Sequence, residues 1–94
     1  MAAAGTSQGG GLHVLVISPE KTVYDDEAQS IVVPAWDGEV GILRGHAPYM
    51  AVLGSGEMRV TRSGGTKRFR VEGGFVQVVD NVVTVLSETA EALA

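Results

Sequence analysis

The sequence has no cysteine, only two histidines, and seven lysines and arginines against eleven acidic residues. Without cysteine it can form neither a disulfide nor a thiolate metal site, so the hydrophobic core alone must hold the fold. The formal net charge of −4 argues against general nucleic-acid binding, because phosphates require a cationic face. No apolar run approaches the roughly 20 residues of a membrane-spanning helix. A chain of 94 residues with these properties is a single small domain.

The first segment, residues 1–11, is alanine-rich and then glycine-rich. It lacks both the charged start and long apolar middle of a secretory signal and the arginines of a transit peptide. Its glycines are not followed by the Lys-Ser/Thr of a phosphate-binding loop. This composition predicts a flexible N-terminal tail.

Short valine-rich runs separated by glycine, proline or Asp-Asn dominate the chain from residue 12 onward. About eight to ten such runs with closely spaced turn signals predict an all-β fold over residues 12–88, an antiparallel sandwich or flattened barrel. Residues 89–94 are expected to form a short C-terminal tail. Their Ala/Glu/Leu composition is compatible with the start of a helix, but one too short to hold alone.

The clearest hairpin lies between residues 57–62 and 67–72, with Gly-Gly at positions 64–65 supplying the positive φ of a tight turn. That register sets Arg59 opposite Arg70 on the outside. It points four apolar side chains inward: Met58, Val60, Phe69 and Val71.

A second tight turn is predicted at Asp80-Asn81, between residues 75–79 and 82–86. Both faces of this hairpin are largely apolar. That pattern is typical of strands near the middle of a packed structure.

No set of residues indicates catalysis. His13 begins an apolar strand and His46 lies in a turn, and their spacing does not match a metal-ligand pair. No serine sits in a nucleophile elbow. The sequence therefore predicts no catalytic residue, cofactor, metal or small-molecule substrate, although a small metal-dependent enzyme built on the two histidines stays open as a minor hypothesis.

Two charged segments and one aromatic residue are candidates for contact with a partner. Five of the seven basic residues lie between Arg59 and Arg70. The favoured interpretation is an outward face balanced by Glu57 and Glu72, and the alternative is a docking site for an acidic partner. Trp36, the single tryptophan, is either an interface anchor or a lid over the core.

Several motifs, taken in order, resemble one family. They are Ser18-Pro19-Glu20 after the first strand, residues 30–34, Asp37-Gly38-Glu39-Val40-Gly41-Ile42-Leu43, Gly45-His46-Ala47-Pro48, Gly73-Gly74-Phe75, and residues 81–86. Each is weak alone, but together they resemble the N-terminal β-domain of the epsilon subunit of F-type ATP synthases.

This resemblance implies a ten-stranded β-sandwich that acts as a non-catalytic central-stalk subunit. It would link the gamma subunit to the c-ring and support the rotary coupling of proton or sodium flow to ATP synthesis. The resemblance places the subunit peripherally, without membrane insertion, on the cytoplasmic face of the bacterial inner membrane or the equivalent organelle face. One candidate interface faces the c-ring: Ala35, Trp36, Asp37, Gly38 and Glu39. A second lies near gamma and the ring: Arg44, Gly45, His46, Ala47 and Pro48.

Most bacterial members of this family continue into a C-terminal helical hairpin, whereas this sequence ends at Ala94. The resemblance leaves open whether a longer protein carries one. The alternative function is a free-standing β-sandwich that binds an acidic protein or glycan through the basic hairpin.

Overall fold

The computed structural model describes residues 11–93, which form ten β-strands and no helix. The strands are β1 (Leu12–Ile17), β2 (Thr22–Ala28), β3 (Ser30–Ala35), β4 (Gly38–Leu43), β5 (Tyr49–Val52), β6 (Ser55–Arg62), β7 (Gly65–Glu72), β8 (Phe75–Val79), β9 (Val82–Leu86) and β10 (Thr89–Ala92). Residues 1–10 of the expected tail lie outside the described residues.

The strands form two five-stranded sheets. Sheet I has the order β2-β1-β9-β8-β5, and sheet II has the order β10-β7-β6-β3-β4. The predicted all-β sandwich is confirmed. One pair departs from the antiparallel expectation, because β1 and β9 run parallel in the centre of sheet I, with Val14 opposite Val83.

The core lies between the two sheets and follows the alternation of each strand. In β1 and β8 every second residue is fully buried. Phe69 of β7 packs edge-on against Tyr24 of β2, with 5.7 Å between the ring centroids. Burial raises the pKa of Tyr24, opposed by the nearby Arg62 and reinforced by Asp26. This aromatic pair joins the two sheets across the interior.

The turn between β8 and β9 is confirmed as a tight hairpin. Asp80 and Asn81 both have positive φ, 49° and 64°, and Val79 pairs with Val82 across them. Two consecutive positive φ values define the turn type whose twist matches that of antiparallel strands.

The register predicted for the β6–β7 hairpin is wrong by two residues. Arg62 pairs with Gly65, so the turn lies on residues 63–64, and Arg59 faces Arg68 rather than Arg70. The positive φ falls on Gly65, at the start of β7, rather than inside the turn. The predicted inward face is unaffected, because strand side chains alternate with a period of two and a two-residue slide preserves the face.

The end of the chain is also different from the expectation. Residues 89–92 form strand β10, which pairs with β7, instead of a tail or the start of a helix. Ala90 packs against the core. The buried Ser87 directs this segment, since its hydroxyl accepts from the Glu72 N–H and donates to the Thr89 carbonyl. Pairing and packing thus override the local helix propensity of Ala and Glu.

Candidate protein-docking surfaces

The turn that joins β3 to β4, residues 35–39, presents a rigidly held tryptophan. Ala35 is buried, whereas the Trp36 side chain is 73% exposed. The Trp36 N–H donates to the Val52 carbonyl at 3.0 Å, so the backbone is fixed while the ring faces solvent. Trp36 therefore does not cover the core. An exposed tryptophan on a fixed backbone is a candidate anchor for a partner.

The turn carries two acidic side chains, Asp37 and Glu39, in different surroundings. Asp37 is exposed at the tip, and Gly38 has a φ of +137°. Glu39 forms an ion pair of 3.6 Å with Arg59 of β6. Glu39 therefore belongs to the charged face of sheet II as well as to the turn.

The segment that connects β4 to β5, residues 44–48, is held by contacts with other parts of the chain. Arg44 lies against Gly11, and the Gly45 N–H donates to Asn81 Oδ1 at 2.7 Å. The His46 ring packs edge-on against Tyr49, with 5.5 Å between centroids. The predicted segment is thus an ordered loop that presents a half-exposed imidazole.

The two predicted interface segments do not lie together. Residues 35–39 and 44–48 flank the two ends of β4, which is the outer strand of sheet II. Four strand residues, 40–43, separate them by roughly 17 Å. They share one side of the sandwich, and a partner contacting both must run along the β4 edge.

A further candidate surface lies on sheet I and has no signature in the sequence. The outward positions of β5, β8 and β9 form an apolar patch on sheet I, here called the outer apolar face. Its exposed members are Met50, Val52, Phe75, Val79 and Val82. The register places Val52 opposite Phe75 and Val79 opposite Val82. Met50 is opposite Gln77, which lies between these two pairs. The two-faced apolar pattern correctly indicates interior strands, since β8 and β9 lie between β1 and β5 in sheet I, but the outer face of these strands is open.

A groove continues the outer apolar face at the end of the sandwich that carries Trp36. It has a volume of about 410 Å³, and its apolar lining, Ile17, Pro19, Phe75 and Leu86, is bordered by Ser18, Ser87 and Glu88. Exposed apolar side chains grouped in this way make this face a candidate site of protein contact.

The outer face of sheet II has the opposite character. Its arginines are balanced by glutamates: Arg59 with Glu39 at 3.6 Å, Arg68 with Glu57 at 3.3 Å, and Arg70 with Glu72 at 4.0 Å. The favoured interpretation of the basic hairpin as a charge-balanced outward face is confirmed. Such exposed pairs contribute little to stability but keep this face hydrated.

Neither histidine has the surroundings of a metal ligand set. His13 Nε2 lies 2.6 Å from Asp25 Oδ1, and His46 Nδ1 lies 2.7 Å from the Ala47 carbonyl oxygen. Within residues 11–93 no group of three or more His, Asp or Glu side chains is arranged to hold a metal ion. In the same part of the chain, no helix is long and apolar enough to cross a membrane.

A family model and individual relatives assign the chain to the same family. The family described as ATP synthase, Delta/Epsilon chain, beta-sandwich domain, matches residues 11–93. The ATP synthase epsilon chain of Syntrophomonas wolfei is 47% identical over 77 residues, covering 81% of this chain and 56% of the relative. That of Leptospira borgpetersenii is also 47% identical over 77 residues, covering 82% and 61%. The chain thus spans less than two thirds of the length of these relatives.

Solved structures share the fold. A chain in the Euglena gracilis mitochondrial ATP synthase, an assembly described as OSCP/F1/c-ring, superposes with a TM-score of 0.80 at 23% identity, covering 97% of this chain and 59% of that one. A chain in the Tetrahymena thermophila central stalk and c-ring superposes with a TM-score of 0.72 at 18% identity, covering 88% and 67%. At these identities the likeness concerns the fold.

Proposed function

Because the chain belongs to the ATP synthase delta/epsilon family, whose β-sandwich domain it forms, we propose that it is a non-catalytic central-stalk subunit of a proton- or sodium-translocating F-type ATP synthase. In this role it links the gamma subunit to the c-ring and supports rotary coupling. Two findings support this role: the chain resembles ATP synthase epsilon chains, and a chain in a central stalk and c-ring assembly has the same fold.

The observation that carries the proposal is the difference between the two outer faces. On sheet I, β5, β8 and β9 expose five large apolar side chains around Gln77 and Thr84, whereas the β6–β7 hairpin of sheet II exposes paired charges. The centre of a protein interface is depleted of charge and enriched in apolar and aromatic side chains. We therefore assign the outer apolar face to the gamma subunit and the charged face of sheet II to solvent.

The two turns of the β4 side border the same face. Trp36 is hydrogen-bonded to Val52 of the outer apolar face, and the segment of residues 44–48 leads directly into β5. We assign the turn of residues 35–39 to the polar loops of the c-ring and residues 44–48 to the border between gamma and the ring. A subunit seated in this way is held by gamma on one face and rests on the ring at an adjoining turn.

This role requires contact with partners rather than a chemical reaction. It agrees with the local partners of His13 and His46, which are Asp25 and the Ala47 carbonyl. It places the subunit peripherally at the membrane, on the cytoplasmic side in a bacterium or the equivalent side in an organelle. The alternative, an acidic ligand bound by the basic hairpin, is disfavoured because Arg59, Arg68 and Arg70 already lie beside glutamates.

Met50→Asp tests the assignment of gamma to the outer apolar face. Met50 is 63% exposed, so the change should alter the free energy of unfolding by less than about 0.5 kcal/mol, as at a surface site. A charge placed inside an apolar interface should weaken binding to the gamma subunit at least tenfold, roughly 1.4 kcal/mol, measured by titration calorimetry. The matched control is Thr66→Asp, at an exposed position of sheet II, which should bind as the wild type does. Equal affinities for both variants would contradict the assignment.

A double variant, Trp36→Ala with Glu39→Lys, tests the turn that we assign to the c-ring. It removes the exposed ring and reverses the charge at the turn, and it should weaken ring attachment or proton pumping in the assembled enzyme. Since Glu39 also pairs with Arg59, the control is Glu57→Lys, which disturbs the same charged face away from the turn. Pumping by inverted vesicles that is intact in the double variant would count against the assignment.

A further inference from the structure

Asn81 holds two separate parts of the chain through two different atoms. Its side-chain Oδ1 accepts the Gly45 N–H at 2.7 Å, and its backbone carbonyl accepts the His13 N–H at 2.9 Å. The residue therefore connects the β8–β9 turn to β1 and to the segment of residues 44–48, which is 36 positions away from it at Gly45.

The turn itself does not require asparagine at this position. Asn81 has a φ of 64° and follows Asp80 with a φ of 49°. Asp-Gly is among the preferred pairs for a two-residue turn with both φ values positive. Glycine would therefore satisfy the backbone equally well, and the consequence specific to the asparagine side chain is its bond to Gly45.

The segment of residues 44–48, to which Asn81 is hydrogen-bonded, makes a sharp turn at Gly45. Gly45 has a φ of +85°, and the next residue, His46, bonds locally to the Leu43 carbonyl at 3.1 Å. The Asn81 side chain adds a tie from a different strand pair. Asn81 is also followed directly by Val82 of the outer apolar face, so the tie fixes residues 44–48 beside that face.

We infer that Asn81 is a positioning residue, which acts through its hydrogen bond to Gly45 to present the segment of residues 44–48, with His46, to the gamma subunit. The partner in this inference rests on the proposed function. The anchoring itself rests on the geometry alone. The two parts can therefore be tested separately.

The test compares three variants of the full chain. Asn81→Gly keeps the turn and removes the side-chain acceptor, whereas Asn81→Asp keeps an acceptor oxygen. Asp80→Gly is a control for the turn and leaves the hydrogen bond from Asn81 to Gly45 intact. Hydrogen exchange of the Gly45 amide should quicken roughly two- to tenfold in Asn81→Gly, the range expected for one lost hydrogen bond. Exchange of core amides such as Val83 should not change. Binding to the gamma subunit should weaken several-fold in the same variant. Both readouts should return to wild-type values in Asn81→Asp and stay there in Asp80→Gly.

Unchanged Gly45 exchange in Asn81→Gly would overturn the anchoring. Faster exchange with unaltered gamma affinity would overturn the presentation of the segment to gamma, as would an equal loss of affinity in Asp80→Gly. A wild-type chain that fails to bind gamma would overturn the proposed function and the partner in this inference, while the exchange measurement would still decide the anchoring.

Discussion

Replacing Gly74 with alanine is expected to destabilise the domain by more than about 4 kcal/mol or to prevent folding, the range reserved for severe steric or backbone faults. Gly74 has a φ of +97°, and a Cβ atom there would lie 1.8 Å from the Leu86 carbonyl oxygen and 2.9 Å from the Ser87 Cα. The obstructing atoms are backbone, so no side-chain rotation relieves the overlap. Two strands must move apart, and the hydrogen bond from the Leu53 N–H to the Gly74 carbonyl must be disturbed with them. Urea unfolding followed by circular dichroism measures the loss.

The chain offers a control for this substitution. A Cβ on Gly64, in the β6–β7 turn, would meet no atom within 4 Å. Gly64→Ala should therefore change the free energy of unfolding by less than about 1 kcal/mol. If both alanine variants unfold at the same urea concentration, the close approach of β8 to the end of β9 is not a determinant of stability.

Phe69→Ala is the second large effect, with an expected loss of about 3–5 kcal/mol, as for other aromatic side chains removed from a core. Phe69 is 2% exposed, and its ring packs against Tyr24 of the other sheet. The variant loses this contact and leaves a cavity between the sheets. Thermal and urea unfolding of the same samples give the change in stability.

Arg68→Ala, at the adjacent position, is the matched control for Phe69→Ala. Arg68 points outward and pairs with Glu57 at 3.3 Å, and an exposed ion pair contributes about 0–1 kcal/mol. A loss below about 1 kcal/mol is therefore expected. Comparable losses for Arg68→Ala and Phe69→Ala would mean that the inward face of β7 has been misassigned.

The alternation of side chains made the faces of the strands predictable, but not the pairing between strands. Met58 and Phe69 were expected to point inward and are buried. The register of their hairpin was not predictable from alternation, since a two-residue slide leaves every side chain on its own face. The parallel pairing of β1 with β9 was equally hidden, because no local turn connects those strands.

Some parts of the candidate docking surfaces could likewise be predicted from the sequence, and others could not. The position of the Trp36 turn follows from local proline and glycine signals. The outer apolar face does not, because apolar residues on both sides of a strand are compatible with a buried strand or with one that awaits a partner. Only the placement of the second sheet shows which side of Phe75 and Val79 is open. The contact between Asn81 and Gly45 spans 36 positions and has no local signature.

The parallel pairing of β1 and β9 has a consequence for the order in which the protein is made. The centre of sheet I requires both Val14 and Val83, so β1 has no parallel neighbour until β9, near the other end of the described residues, has been synthesised. Until then β1 can pair with β2 alone, and a two-stranded hairpin is marginally stable in water. Folding dominated by such distant contacts is slow, with millisecond to second times typical of all-β sandwiches. Sheet I therefore cannot be completed before residues 82–86 have been synthesised, and until then the valine-rich β1 lacks its central neighbour.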